Sequence, residues 1–324
     1  MDALEIARLN LLSPVVLAFV LGVFASLVKS DLEIPQALYD SLAIYLLLAI
    51  GLKGGAALAV ADFAVVWKVA LATIAVGAVS PLVAYAALRG LGRLDIVNAA
   101  AVAAHYGSVS AVTFIASVDF AVAVGTKPEG FMPALVALLE VPGIVVALGL
   151  ASRRLGRTQS TGAVVREILF GKSIVCLMGG LVIGFVTGPH GLSQVEAFFV
   201  TPFKGALTLF LLELGMVAAK RFRDLRAAGP FLLGFAIVMP VVLGLLGIVA
   251  GSLAGLGVGG AGVLGAMVAS ASYIAAPAAV RMSLPEANPT YYLTMSLGIT
   301  FPFNLTIGIP LYHQIALRLH GLFQ

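Results

Sequence analysis

Residues 96–118 read IVNAAAVAAHYGSVSAVTFIASV, an apolar stretch long enough to cross a bilayer and interrupted at its middle by HYGSVSAVT (105–113). A spanning helix needs about 20 apolar residues. This one sets Gly107 and three hydroxyl side chains, Ser108, Ser110 and Thr113, deep inside its length. Glycine permits unwinding, and backbone groups freed at mid-membrane must be met by protein, water or ligand. A second apolar stretch, 259–281, carries a comparable interruption in ASASYIAAP (269–277), where Ser270 and Ser272 precede Pro277. Proline removes a backbone donor and frees a carbonyl. Either segment alone reads as small residues for close helix packing. Two of them, in matching places of one chain, point instead to a pair of discontinuous helices whose N-termini can hold an anion and whose freed carbonyls can hold a cation.

The rest of the chain fits that reading. Its 324 residues are 61% hydrophobic and only 10% charged, with a mean hydropathy of +1.09. A soluble domain carries about 25% charged residues. So few charges exclude a soluble enzyme, a disordered tail and a nucleic-acid binder, whatever the net charge of +4. Ten candidate spans lie at 12–29, 34–57, 64–88, 96–118, 131–152, 165–187, 197–219, 229–255, 259–281 and 290–317. Loops such as GTKPEG and GPHGLSQ separate them. The first apolar stretch, preceded by Asp2, Glu5 and Arg8, is expected to span rather than be cleaved. The fold class expected is an all-α integral membrane protein. The single cysteine, Cys176, reads as packing, with no disulfide or cysteine metal site.

The basic residues set an orientation. Lys29, Arg89, Arg93, Arg153, Arg154, Arg157, Arg166, Lys172, Lys220, Arg221, Arg223, Arg226 and Arg281 fall in odd-numbered loops. Only Arg8, Lys127 and Arg318 fall in the termini and even-numbered loops, while Lys53, Lys68 and Lys204 lie within or at the edge of spans. Cytoplasmic loops collect Lys and Arg. The odd loops are therefore expected inside, with both termini outside an inner, cytoplasmic membrane.

Internal similarity divides the chain. LLAIGLKGG (47–55) pairs with LLELGMVAA (211–219), SVS (108–110) with SAS (270–272), and EVPGI (140–144) with TFPFN (300–304). The offsets of 164, 162 and 160 are nearly constant. Two five-helix halves have opposite orientation because five is odd, which makes an inverted-topology repeat. The halves run over 1–155 and 173–324, joined by 156–172.

Ionisable groups inside spans are expensive and usually functional. Glu140, just before Val141 and Pro142, completes a cation site beside the broken fourth span, carries a proton, or pairs with a neighbouring helix. Glu213 reads more readily as a packed group, with Lys204 as its expected partner. Asn304, Thr300 and Thr306 are the neutral, oxygen-bearing counterparts of the Glu140 region, and His105 and Tyr106 stand at the lip of the first break. No nucleophile elbow, HExxH, Walker A or dinucleotide fingerprint occurs, so the chain is not expected to be an enzyme.

The segments SPVVLAFVLG (13–22), IPQAL (34–38), LLLAIGLKGG (46–55), HYGSVSAVT, LLEVPG (138–143), LELGM (212–216), SASYIAAPAAVRMSLPEANPTYY (270–292) and IGIPLY (307–312) resemble the sodium-dependent bicarbonate transporter (SbtA-like) family. The resemblance runs along almost the whole chain in order. It implies a homotrimer with a gate built from spans 1, 2, 6 and 7 and a core from spans 3–5 and 8–10. It also implies a substrate and sodium region at Ser108, Ser110, Thr113, Ser270 and Ser272, with Glu140 where the family typically shows an acidic residue. The anion site is expected at Gly107, Ser108, Ser110, Ala271, Ser272 and Tyr273. The Na⁺ ligands are expected from Ser110, Thr113, Glu140, Ser270, Ser272 and Asn304, the last by its symmetry with the Glu140 region. No cofactor is implied beyond Na⁺ as coupling ion, and a PII-like regulator is the family's suggested partner. Two departures stand out: Tyr273 replaces an acidic residue, and the joint 153–172 is short where well-known members carry a long insertion.

The function expected is Na⁺-coupled uptake of bicarbonate or a similar small anion by elevator-like motion. The alternatives are an H⁺-coupled carrier of another small carboxylate, working through Glu140 or His105, and an uncoupled channel or sensor.

Overall fold

The computed structural model describes residues 3–156 and 161–323; Asp2 and Arg157 lie outside the described residues. No strand occurs among the described residues. A short α1 (Ala3–Leu11) leads into α2 (Pro14–Leu27), started by Ser13, whose hydroxyl accepts the Val16 N–H. Then come α3 (Gln36–Leu58) and α4 (Phe63–Gly90). The fourth predicted span is two helices, α5 (Ile96–Tyr106) and α6 (Ala111–Ala123), followed by α7 (Met132–Arg154).

Where the sequence predicts a joint between the halves, the described residues from Thr161 on are helical rather than a loop: α8 (Thr161–Leu169) precedes α9 (Lys172–Gln194) and packs on α7. GPHGLSQ, read above as a loop, continues α9 beyond a kink. Gly188 takes a φ of 61°, which costs glycine little, and Pro189 restarts the helix where a missing N–H is harmless. Next are α10 (Glu196–Phe199), α11 (Phe203–Arg221), a tight turn over Phe222–Asp224, and α12 (Leu225–Leu253). The ninth predicted span is again divided, into α13 (Val258–Val268) and α14 (Ala275–Ser283). The last rod, α15 (Pro289–Leu293), α16 (Phe301–Phe303) and α17 (Ile309–Phe323), is joined by π-helical stretches over Thr294–Thr300 and Asn304–Gly308. Pro302 and Pro310 interrupt its ladder. Asn10 of α1 donates to the freed carbonyls of Leu305 and Thr306 at 2.8 and 3.1 Å.

Among the described residues, eight helical stretches are long and apolar enough to cross a membrane, counting α5–α6, α10–α11 and the final rod as one each. α2 and α13 are shorter apolar helices. Large apolar side chains such as Phe24, Phe185 and Val238 are exposed on the outside, as a bilayer solvent allows.

Two packing groups emerge. In the first, α3 lies along α9 and α2 along α11, with α3 also touching α11. Glycines make these seams: an added Cβ on Gly51 or Gly55 would run into the α9 backbone at Leu177–Leu181, and one on Gly184 into Leu52. Likewise, a Cβ on Gly22 would strike Leu212 and one on Gly215 would strike Phe19. Without side chains between them the backbones gain close van der Waals contact, the main attraction left between helices in lipid. In the second group α4, α5 and α7 pack together, as do α12, α13 and α17. The half-helices cross over, α6 against α13 and α14 against α5.

Candidate functional site

The two interruptions meet. Ser110 ends the first as N-cap of α6, its hydroxyl accepting the Thr113 N–H at 3.2 Å. Its own backbone N–H donates to Ser270 Oγ at 2.8 Å, and Ser270 Oγ in turn donates to the Met267 carbonyl at the end of α13. In the return direction the Ser272 N–H donates to the His105 carbonyl at 2.9 Å. Each break therefore satisfies a backbone or hydroxyl group that the other leaves open, which lets irregular backbone exist at this depth. Ser272 Oγ accepts the Ala276 N–H in the first turn of α14. Pro277 sits in that same turn, where its absent N–H would have had no partner anyway.

α7 presses against the crossing from behind. A Cβ on Gly143 would collide with the Gly107 carbonyl and one on Gly107 with Pro81 and Gly143, so the EVPG segment is the floor of the first break. One helical turn earlier Glu140, 6% exposed, faces a small enclosed space. That cavity, of about 20 Å³, is lined by Ser110, Ala111, Glu140, Ser272, Tyr273 and Ile274 from the second group and by Leu47, Ile174 and Leu177 from the first. It admits about one water. The N-terminal ends of α6 and α14 border it, and these ends carry partial positive charge that suits an anion. Glu140 has no hydrogen-bond or ion-pair partner among the described residues. Tyr273 accepts the Ser110 hydroxyl at 3.2 Å and stands edge-on to Phe301.

The residues singled out by sequence separate into two sets. Ser110, Ser272, Tyr273 and Glu140 line the cavity; Gly107, Ser270 and Ala271 build its frame. Ser108 and Thr113 do not line it, but their hydroxyl oxygens are buried and unpartnered, so they remain chemically fit to hold a cation. Asn304 stands away from the cavity lining. Its amide donates to the Ala269 carbonyl at 3.0 Å and its oxygen accepts Tyr312 Oη–H at 2.8 Å, bracing the end of α13. His105 lies behind the crossing, its Nδ1–H on the Ala101 carbonyl at 2.7 Å and its ring stacked on Tyr292.

A larger cavity, about 700 Å³, opens between α3 and α11 on one side and α6 and α7 on the other, walled also by the 127–130 loop and the end of α9. Here Lys204 Nζ lies 2.5 Å from Asp119 Oδ1. That corrects the expected Lys204–Glu213 pairing. Nine positions is two and a half turns, so the two side chains leave α11 on opposite faces, and Glu213 borders a separate polar groove beside Glu33 and Lys220. Sequence reading missed Asp119, although a carboxylate nine residues after Ser110 within an apolar stretch was signal enough. It also missed the chain from Tyr106 Oη through Thr300 Oγ1 (2.6 Å) to the Ala236 carbonyl (2.7 Å), which ties α5 to the last rod and α12. Tyrosine and threonine this far apart give no sequence signature.

Comparison with known families finds that residues 14–317 match the model of the Na⁺-dependent bicarbonate transporter superfamily. No curated protein matches the chain.

Proposed function

Because the chain belongs to the Na⁺-dependent bicarbonate transporter superfamily, it is a transporter rather than an enzyme, and we propose that it couples inward Na⁺ movement to uptake of bicarbonate or a similar small anion. The observation that carries this is the crossing of the two breaks, with the α6 and α14 N-termini and the unpartnered Glu140 around one cavity. An anion at the N-termini is met by N–H groups and hydroxyls, while a cation beside it is met by Glu140 and backbone or hydroxyl oxygens. Each ion reduces the desolvation cost of the other in a low-dielectric site.

The architecture proposed is ten spans in a 5+5 inverted repeat, with α2 and α13–α14 completing the count. The packing supports it: exchanging the halves maps the α3–α9 seam onto α11–α2, the α4–α5 contact onto α12–α13, and the α5–α7 contact onto α13–α17. Gly51 and Gly215, at the repeat offset of 164, both sit at those seams. The first packing group is then the gate and the second the core. The transport cavity lies on the boundary between them, so movement of core against gate would carry the ions across. In the proposed orientation the odd loops are cytoplasmic, the termini are outside and the 700 Å³ cavity faces outward. A homotrimer in the inner membrane follows only from the family resemblance, as does a PII-like regulator.

Uptake of labelled bicarbonate into proteoliposomes, with and without an inward Na⁺ gradient, tests the coupling. Concentrative uptake that needs Na⁺ is the expected result. Sodium-independent uptake driven by a proton gradient would replace this reading with the H⁺-coupled one, and uptake that never exceeds equilibrium would leave a channel.

A further inference from the structure

We propose that Lys53 forms an anion-capture subsite in the outer cavity, separate from the transport site, that takes a small oxyanion before it reaches the crossed breaks. The inference rests on the transporter reading above. Six charged residues line this cavity: Lys53, Lys127, Lys204, Asp119, Glu129 and Glu196. Their partners set one of them apart. Lys204 is neutralised by Asp119 at 2.5 Å, and Glu129 Oε1 accepts the Gly257 N–H at the start of α13 at 2.8 Å. Lys127 and Glu196 are exposed at the rim.

Lys53 is half-buried, and no carboxylate among the described residues comes within ion-pair distance of it. Its ammonium lies over the Phe203 ring, 4.7 Å from the centroid. A ring face attracts the charge but accepts few of its three N–H donors. Its charged neighbours on the packed helices are Asp119 and Lys204, so the trio carries a net single positive charge.

Position along α3 completes the argument. Leu47, Ile50 and Lys53 recur at three-residue spacing on one helix face. Leu47 lines the small transport cavity, whereas Ile50 and Lys53 line the large one. The rise of a helix sets Lys53 about 9 Å from Leu47 along the axis. α7 repeats the order from the core side: Met132 and Pro133 border the large cavity, Val136 and Glu140 the small one. The two cavities therefore lie along one gate–core boundary, with Lys53 standing on the route between bulk water and the α6 and α14 N-termini. A charged side chain kept inside an apolar span is expensive unless it serves a water-filled path. A lysine, hydrated and without a fork, suits brief capture better than tight holding.

The test uses the reconstituted full chain and initial rates of bicarbonate uptake at saturating Na⁺, at low and raised ionic strength. Lys53→Gln is expected to raise KM about tenfold, as loss of one charge-assisted contact would, with Vmax within about twofold. It should also flatten the dependence of uptake on ionic strength, and Lys53→Arg should restore a wild-type KM. If Lys53→Gln does not fold, Lys53→Met keeps the apolar stem and carries the same measurement. An unchanged KM, or a fall in Vmax at unchanged KM, would assign Lys53 to gate packing and overturn the proposal. Absence of bicarbonate uptake by the wild type would instead bring down the transporter reading, and this inference with it.

Discussion

Ser270→Ala isolates one of the bonds that join the two breaks. Ser270 is fully buried, and its hydroxyl accepts the Ser110 backbone N–H at 2.8 Å while donating to Met267. Alanine fills almost the same space, so packing is nearly conserved. What changes is that the Ser110 N–H, at the start of α6, loses its acceptor beside an apolar wall. A buried donor left unmade costs about 1–3 kcal/mol. Spent on the conformation in which the breaks cross, that lowers its population relative to competing states about 5- to 150-fold. The control is Ser80→Ala: Ser80 is equally buried, but its hydroxyl only donates to the Val76 carbonyl one turn back on α4, a bond whose loss strands no donor. Both variants would be purified, melted in detergent and assayed for Na⁺-dependent uptake. Ser270→Ala should melt a few degrees below Ser80→Ala and lose at least about fivefold in uptake. Equal melting temperatures together with equal uptake would mean that the crossing does not depend on this bond.

Three further outcomes are expected. Glu140→Gln keeps shape and removes only charge from the cavity, so the Na⁺ concentration for half-maximal uptake should rise about tenfold or more; wild-type Na⁺ dependence would remove Glu140 from coupling. Asp119→Asn cuts the 2.5 Å pair between α6 and α11, in which the Lys204 side chain is 70% exposed and that of Asp119 24%. It should leave melting almost unchanged yet shift the rate of reagent access to a cysteine placed in the outer cavity, and identical access rates would show that the pair does not hold core to gate. Gly180→Leu inserts a side chain where α9 meets α3 and should destabilise the fold by about 1–3 kcal/mol or more. Gly179→Leu, which meets nothing within 4 Å, should be tolerated.

The breaks were legible because mid-membrane chemistry is restrictive. Gly107, Ser110 and Ser270 stand out against alanine and valine, and helical continuity does fail at those places. The burial of Glu140 beside the first break was legible for the same reason. The partner of Lys204 was not, because span-to-span pairing is set by helix rotation, which sequence distance does not encode; the structure gives it Asp119. Asn304 was read as an ion ligand from symmetry with Glu140, yet Tyr312 and Ala269 occupy its amide, a three-dimensional fact that no motif carries. The loop read at GPHGLSQ failed because glycine followed by proline marks a turn and a helix restart equally well.

The solitude of Glu140 bears on the return stroke. Under the proposed mechanism an ionised carboxylate with no counter-charge must be neutralised before the core can slide past the apolar gate residues Leu47 and Leu177, since an uncompensated charge at mid-depth costs several kcal/mol. Sodium does this in the productive cycle. After sodium leaves, a proton must take its place before the empty core can return, so the return stroke depends on protonation of Glu140. The same group that attracts the driving ion thus also sets the pace at which the empty carrier resets.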